Sequence, residues 1–152
     1  MGDDMIELVT DVNIVRAAEV HAASWRDSHR DICNEEFIAL HTTERQTSYL
    51  LKQIEQGAII YLFTDSGRPV GIVSVCGNVI GDLYVLPEEQ GRGYGTQLLR
   101  FAMEKCTATP MLWVLNHNQR AIRLYERIGF RMTGEKNALS DTLSELQMIY
   151  DE

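Results

Sequence analysis

The segment VLPEEQGRGYGTQLL (85–99) places three glycines at alternate positions between a β-rich run and a helical pattern. These are Gly91, Gly93 and Gly95. Glycine adopts positive φ without strain and lets backbone amides approach a ligand with no Cβ in the way. The helix that follows presents unpaired N–H groups and the positive end of its dipole. The segment therefore predicts a loop that holds an anion, and phosphate oxygens suit it best.

The amino-terminal half carries one predicted strand and three predicted helices. The strand is MIELVT (5–10), and apolar residues at three- and four-residue spacing predict a first helix from Val12 to about His29. The apolar face of that helix is predicted to comprise Val12, Val15, Ala18, Ala22 and Trp25. NEEFIALHT (34–42) predicts a short second helix, and TERQTSYLLKQIEQG (43–57) predicts a third that Gly57 ends.

The carboxyl-terminal half alternates strands and helices. AIIYLFT (58–64) and PVGIVSVCG (69–77) predict two strands joined by the turn DSGR (65–68), and VIGDLYVL (79–86) predicts a third. A helix from Thr96 to Lys105 follows the glycines, and the remaining predicted elements are the strand 111–115, the helix 118–129 and the strands 130–135 and 143–150. This order predicts an α/β (α+β) fold with a mixed, mostly antiparallel sheet, one parallel crossover and flanking helices.

Length and composition narrow the class of protein. A chain of 152 residues predicts a single domain, 1–152. The net charge of −8 argues against a nucleic-acid surface, and no apolar run approaches the ~20 residues that span a bilayer. Three widely spaced cysteines indicate reduced thiols, so we expect a cytoplasmic protein. We find no cluster of metal ligands, so no metal is expected.

The sequence of this loop does not match three familiar glycine-rich motifs. A P-loop requires G-x-x-x-x-G-K-[ST], and no lysine follows Gly95. A dinucleotide fingerprint requires G-x-G-x-x-G in the first strand–helix unit of a parallel fold, whereas this loop reads G-x-G-x-G well along the chain. A protein kinase would need a catalytic set that is absent.

The pattern that fits is Gln90-x-x-Gly93-x-Gly95, followed about thirty residues later by N-x-x-A-x-x-x-Y-x-x-x-GF. The second motif comprises Asn118, Ala121, Tyr125, Gly129 and Phe130. With these two motifs the chain resembles the GNAT superfamily of N-acetyltransferases. The resemblance is clear over 71–130, and it implies a GNAT fold, acetyl-CoA as co-substrate and an amine as acceptor.

The resemblance also implies roles for individual residues. The backbone of β-strand residues Leu83, Tyr84 and Val85 would pair with the pantetheine arm, and amides of the glycine loop would hold the pyrophosphate, with Arg92 adding charge at the rim. Tyr125 would be the general acid beside the thioester sulfur. The complete set of expected cofactor contacts is Leu83, Tyr84, Val85, Gln90, Gly91, Arg92, Gly93, Tyr94, Gly95, Thr96, Asn118, Ala121 and Tyr125.

Two of these residues have purely structural alternatives. Asn118 would also serve as the N-cap of the helix that follows it. Tyr125 would also serve as a core residue, because it shares an apolar helix face with Ile122 and Ile128.

The general base is not assigned by the sequence. Relatives often place a Glu or His at positions that correspond to Val79 and Gly81, and neither of these accepts a proton. Strand alternation directs Asp82 to the opposite face unless a β-bulge intervenes. A solvated or capping role for Asp82 and a water relay through backbone carbonyls are therefore both left open.

The acceptor side is predicted on the first helix. Trp25 and His29 are four residues apart and share a helix face, where an aromatic surface suits a cationic amine. The alternative places Trp25 in the core and His29 in solvent. The acceptor itself, a small-molecule amine or a protein N-terminus, is not identified.

The resemblance is also compatible with a homodimer in which the last strand, SELQMIY, pairs with or packs on a second copy. A non-catalytic acyl-CoA-binding or sensing module is the alternative to an enzyme, and a nucleotide-binding domain follows from the glycines alone.

Overall fold

The computed structural model describes residues 4–151 as seven strands and five helices. The strands are β1 Asp4–Leu8, β2 Ile59–Asp65, β3 Arg68–Cys76, β4 Val79–Val85, β5 Met111–Leu115, β6 Phe130–Ala138 and β7 Ser144–Tyr150. The helices are α1 Ile14–Ser28, α2 Glu35–Ala39, α3 Thr43–Glu55, α4 Tyr94–Lys105 and α5 Gln119–Ile128. A 3₁₀ turn, Pro87–Glu89, links β4 to the glycine loop. None of the helices within 4–151 combines the length and apolar character needed to cross a bilayer.

The strands form one sheet in the order β1-β2-β3-β4-β5-β7-β6. Every neighbouring pair is antiparallel except β4 and β5, which are parallel and connected through α4. The predicted mixed, mostly antiparallel sheet with one parallel crossover is confirmed. β7 is hydrogen-bonded to β5 on one edge and to β6 on the other, so it has no free edge for pairing with a second copy, and a homodimer in which a second copy packs on this strand stays a prediction.

Turn chemistry accounts for several boundaries. The predicted hairpin turn is confirmed, and its two central residues, Ser66 and Gly67, both have positive φ (54° and 79°) as tight antiparallel hairpins require. Gly57 follows α3 with φ +104°, which ends the helix as expected. The side chains of Asn34 and Thr42 accept hydrogen bonds from amides in the first turns of α2 and α3.

Two apolar clusters lie on opposite faces of the sheet. One joins α1 and α3 to the sheet through residues such as Leu50, Leu62 and Ile72. The other joins α4 and α5 to the sheet through residues such as Leu98 and Ile122. Both faces are thus covered by helices.

The predicted apolar face of α1 is partly wrong. The helix begins at Ile14, so Val12 precedes it and is 90% exposed, while Val15 is 56% exposed. The buried face is instead formed by Ile14, Ala17, Ala18, Val20, His21, Ala22 and Ser24. Two polar side chains, His21 and Ser24, therefore lie on the buried side of α1, where the sequence pattern had not placed them.

Strand β4 contains a β-bulge next to the parallel pair. Val75 pairs with Ile80 and Val73 pairs with Leu83, so Ser74 alone opposes both Gly81 and Asp82. The backbone N–H of Asp82 donates to Ser74 Oγ at 2.9 Å. The bulge redirects the side chains that follow it.

The same strand separates from β5 after a short contact. The two strands pair only at Val79–Met111 and Ile80–Leu112. Beyond Ile80, β4 continues along β3 and β5 continues along β7, so a gap opens in the middle of the sheet. This gap positions the candidate site.

Candidate functional site

The glycine loop begins α4 with free backbone donors. Gly91 and Gly93 have φ values of +84° and +85°, and a Cβ on either would meet no atom within 4 Å. Glycine is therefore required there for its conformation and not for space. Gly93 is the N-cap of α4, and the first amide with an intrahelical acceptor is that of Gln97, which donates to Gly93 O at 3.1 Å. The three preceding amides of α4 are left available at the positive end of its dipole.

Gly95 has a different role. Its φ is ordinary, and a Cβ there would lie 3.4 Å from Leu124 Cδ2. The absence of a side chain thus lets the start of α4 approach α5 closely. Gln90 closes the loop from the other side, because its amide Nε2 donates to Val85 O at 3.1 Å.

A cleft of about 670 Å³ lies between this loop, the end of β4 and the first turns of α5. We call it the loop cleft. It is lined by twelve of the thirteen residues expected to contact the cofactor: Leu83, Tyr84, Val85, Gln90, Gly91, Gly93, Tyr94, Gly95, Thr96, Asn118, Ala121 and Tyr125. The structure therefore brings together two sequence motifs that are about thirty residues apart.

Arg92 and Tyr94 differ from the expectation in their side chains. Arg92 does not line the loop cleft, and its guanidinium pairs with Glu89 Oε1 at 3.4 Å. The phenol ring of Tyr94 is buried against Phe63, and its hydroxyl donates to Asp65, so only the backbone of Tyr94 is free to bind a ligand.

The loop cleft contains a basic face that the sequence analysis did not identify. Arg120, Arg123 and Arg127 of α5 line it. Their i, i+3, i+7 spacing puts them on one side of the helix, and this spacing was the available signal in the sequence. Three guanidinium groups beside free loop amides make the cleft suited to a polyanion.

Asn118, at the start of α5, and Tyr125, within it, both line the loop cleft. Asn118 is the N-cap of α5, since its Oδ1 accepts from Ala121 N at 3.2 Å, and it also lines the cleft. The Tyr125 side chain is 7% exposed and packs edge-on against Phe130. Burial raises the pKa of Tyr125 to about 12, so its hydroxyl carries a proton at neutral pH.

A second cleft, of about 520 Å³, opens on the face of the sheet covered by α1 and α3. We call it the α1–α3 cleft. Five residues line both clefts: Ser28, Leu83, Tyr84, Asn118 and Tyr125. The two clefts therefore meet at the gap in the sheet, and the buried Tyr125 forms part of the wall of both.

One wall of the α1–α3 cleft is a stack of three aromatic rings. Trp25 lies between His29 and His41, with ring centroids 3.9 Å and 3.5 Å away and interplanar angles of 10°. Each histidine is held by its Nδ1, which lies 2.9 Å from Trp25 O in His29 and 3.0 Å from Phe37 O in His41. The structure places Trp25 and His29 on the wall of the α1–α3 cleft, as the first of the two alternatives expected. His41 is a third residue of this aromatic wall, and the sequence did not indicate it.

Asp82 also faces the α1–α3 cleft, contrary to the expectation from strand alternation. The bulge opposite Ser74 turns its side chain toward α1 and α3, where Tyr49 donates to Oδ2 at 2.9 Å. Nε2 of His21 lies 3.3 Å from the same oxygen. Burial, reinforced by the Asp82 carboxylate, raises the pKa of Tyr49 and keeps its phenol a donor. The carboxylate is 21% exposed, and Glu145 of β7 adds a second acidic group to the lining.

The arrangement provides the parts of a two-substrate transfer site. One side presents backbone amides and guanidinium groups, which suit a polyanion, and the other offers an aromatic wall and a carboxylate, which together suit a cation. A protonated phenol stands between them. Among the described residues, Ser24 Oγ and His21 Nε2 are the buried side-chain polar atoms that make no hydrogen bond, and they belong to residues that line the loop cleft and the α1–α3 cleft respectively.

The comparisons with known proteins agree on one protein family. Residues 19–130 match the family model described as Acetyltransferase (GNAT) family. Peptidyl-lysine N-acetyltransferase YjaB of Salmonella typhimurium is 32% identical over 91 residues, which cover 57% of this chain and 61% of the relative. An uncharacterized N-acetyltransferase of Methanocaldococcus jannaschii is 32% identical over 116 residues, which cover 66% of this chain and 49% of the relative. The chain thus covers less than two thirds of the length of either protein.

The fold is shared with solved structures at lower identity. The PaiA N-acetyltransferase of Thermoplasma acidophilum, solved in complex with coenzyme A, superposes with a TM-score of 0.72 and is 17% identical. The superposition covers 97% of this chain and 99% of that protein.

Proposed function

The chain belongs to the acetyltransferase (GNAT) family, and from this premise we propose that it transfers the acetyl group of acetyl-CoA to a primary amine by direct attack, with both substrates bound at once. Acetyl-CoA supplies the acetyl group and a thiol leaving group. The acceptor amine is that of a small molecule or a protein N-terminus. Because one relative is named for peptidyl-lysine acetylation, the lysine side chain belongs among the acceptors to be tested.

The observation that carries this proposal is the connection of the two clefts at Tyr125. A polyanion site and a cation site that met nowhere would be two separate binding sites, whereas these two share five lining residues, of which Leu83 and Tyr84 lie on β4 beyond its last pairing with β5. Reacting groups bound on the two sides would meet beside the Tyr125 hydroxyl. Such positioning is a large part of what a transfer enzyme contributes.

The residues of the loop cleft fit coenzyme A. Amides of Tyr94, Gly95 and Thr96 would bind the pyrophosphate, and a guanidinium of α5, such as Arg123, would pair with a phosphate. Backbone groups of β4 beyond Ile80, which have no β5 partner, would hydrogen-bond the pantetheine amides. The buried Ser24 Oγ, which has no partner among the described residues, is a further donor at this cleft.

Tyr125 is proposed as the general acid. Its buried hydroxyl remains protonated well above neutral pH, so it would donate to the departing sulfur. The thiol that results has an ordinary pKa of about 8.5, so the sulfur retains the proton at neutral pH.

Asp82 is proposed as the group that meets the acceptor amine. An ammonium group of pKa ~10 must lose a proton before it attacks, and Asp82 lies in the cleft that suits a cation. Val79 and Gly81, the base positions that the family resemblance implies, carry no proton acceptor, whereas the carboxylate of Asp82, at the bulge, belongs to a residue that lines the same cleft.

Ligand binding and turnover test the proposal separately. Acetyl-CoA or coenzyme A at a hundredfold excess over Kd should stabilise the protein by about 2.7 kcal/mol, a rise in Tm of roughly 5–10 °C, whereas ATP and NAD should not. Mass spectrometry of tyramine, spermidine and a lysine-containing peptide incubated with acetyl-CoA should then reveal an acetylated product. Tight binding with no product from any amine would favour the sensing module, and no binding would refute the assignment of the loop cleft.

A further inference from the structure

His21 is a buried titratable group that the proposed transfer does not yet use. It lies on the sheet-facing side of α1 and is 2% exposed. Its ring contacts Tyr49 of α3 and Tyr84 of β4, with centroids 5.2 Å and 5.1 Å away. An imidazole enclosed in this way is costly to bury unless both of its nitrogens have partners.

Each ring nitrogen faces one polar group. Nδ1 lies 2.8 Å from the side-chain amide nitrogen of Gln46, which is itself 4% exposed. Nε2 lies 3.3 Å from Asp82 Oδ2 but forms no hydrogen bond within geometric limits. The amide of Gln46 is able to donate to Nδ1 or, after half a turn, to accept from it, so it serves His21 in either protonation state.

Asp82 connects this histidine to the cleft. Its Oδ2 takes the contacts of Tyr49 and His21, and its Oδ1 makes no hydrogen bond to another described side chain. The bulge at Ser74 holds the carboxylate in this orientation through the Asp82 backbone N–H. The order from the cleft inward is therefore carboxylate, imidazole and amide.

We propose that His21 is a positioning residue that shares, through Asp82, the proton removed from the acceptor amine; this inference rests on the proposed function. The N–H bond of the ammonium group breaks and leaves its electron pair on nitrogen for attack. The proton passes to Asp82 and then, once the 3.3 Å contact shortens to a hydrogen bond, to Nε2 of His21, whose neutral ring carries its hydrogen on Nδ1 and donates it to the amide oxygen of a rotated Gln46. The pair then changes from a carboxylate with a neutral imidazole to a carboxylate paired with an imidazolium, so charge and protons balance.

Reference pKa values explain why an imidazole behind the carboxylate would make proton removal from the amine less unfavourable. A carboxylate alone, at ~3.9, lies more than six units below a lysine-type ammonium at ~10.4, whereas an imidazole at ~6.5 lies about four units below it. A base closer to the amine in pKa makes proton removal less unfavourable. An imidazolium formed at His21 would be paired with the carboxylate 3.3 Å away.

Other titratable and charged groups around Asp82 and His21 contribute to the pH dependence of the proposed proton transfer. Arg45 of α3 and Glu145 of β7 line the same cleft, and His29 and His41 stand on its wall. Tyr49 and Tyr84 contact the imidazole directly, and burial raises the pKa of each, so both remain neutral through the range in which a histidine titrates.

The kinetic test compares His21→Gln with His41→Gln, using the amine acetylated most rapidly by the wild type. His21→Gln should lower kcat on the order of 10- to 100-fold with little change in KM, and it should displace the acidic limb of the kcat/KM profile. His41→Gln removes a ring from the cleft wall, so it should alter KM and leave the acidic limb in place. Wild-type kcat and an unmoved acidic limb in His21→Gln would overturn the proposal.

A spectroscopic test requires no acceptor and so separates this inference from the proposed function. Protein labelled at its four histidines would be titrated by NMR as the wild type and as Asp82→Asn. The response of the His21 ring resonances to pH should differ between the two proteins, because Asp82→Asn removes the carboxylate that lies 3.3 Å from Nε2. An identical response in the two proteins would overturn the proposal even if amines are acetylated. If His21→Gln does not fold, the kinetic test uses Gln46→Met, which keeps the imidazole and removes its amide partner. This variant should displace the acidic limb of the kcat/KM profile, and an unmoved limb would count against the proposal.

Discussion

Gly81→Ala tests whether the β-bulge orients Asp82. The ideal Cβ of an alanine at this position would lie 2.4 Å from Ser74 Oγ, which is too close for any real contact. Ser74 would rotate away and abandon the 2.9 Å hydrogen bond from the Asp82 backbone N–H. Leaving that partly buried donor unpaired should cost about 1–3 kcal/mol of unfolding free energy, which is a fall in Tm of roughly 3–10 °C for a chain of this size.

The Ser74→Ala background provides the matched control. The hydroxyl is absent there, and the nearest Ser74 carbon lies 3.8 Å from the ideal Cβ, an ordinary contact. Since the φ of Gly81 is not positive, an alanine should then be neutral or stabilise the strand by about 0.5–1 kcal/mol. The same substitution therefore changes the sign of its effect between the two backgrounds.

Chemical denaturation of the four proteins measures this coupling as a double-mutant cycle. Acetyl transfer measured in parallel should fall in Gly81→Ala, because the Asp82 carboxylate moves with its backbone. An equal cost of Gly81→Ala in both backgrounds would refute the structural role assigned to the bulge.

Four further substitutions, which make three predictions, probe the rest of the site. Tyr125→Phe should lower kcat on the order of 100-fold while acetyl-CoA binding is retained, because it removes only the proton donor, and full activity would exclude Tyr125 as the acid. Arg123→Ala should weaken coenzyme A binding severalfold, most strongly at low salt. Arg92→Ala should weaken binding less, because the Arg92 guanidinium is already paired with Glu89. Calorimetric measurement of the coenzyme A affinity of both variants at two salt concentrations tests this difference. Burial lowers the pKa of His29, so the unfolded chain takes up its proton first, and stability should fall as the pH drops below about 6.5. His29→Gln should reduce that loss in a series of Tm measurements between pH 7 and 5, and an identical pH dependence would contradict the assignment.

Local patterns predicted most of the elements and the loop. Glycines at 91 and 93 adopt the positive φ that their spacing indicated, and the turn at Ser66 and Gly67 formed where its residues suggested. These features depend on the conformational freedom of single residues, which acts over a few positions and is visible in the sequence.

The errors concern positions where distant elements decide the outcome. The buried face of α1 was misjudged because a histidine at a core position looks polar in sequence, although Gln46 and Asp82 supply its partners from α3 and β4. Asp82 was expected on the opposite face unless a bulge intervened, because alternation assumes a regular ladder, and the bulge arises only when Ser74 pairs across the sheet.

By itself, the sequence determined the family, the glycine loop and the order of the elements along the chain, because two local motifs and the periodicity of apolar residues encode them. Only the tertiary structure decided that the clefts meet at Tyr125, that Trp25 stacks between two histidines, and that His21 stands behind Asp82. The physical reason is that each of these arrangements joins residues from separate elements across the gap where β4 leaves β5. The local preferences of the chain do not specify such long-range contacts, which form only when the sheet and its two helical layers pack together.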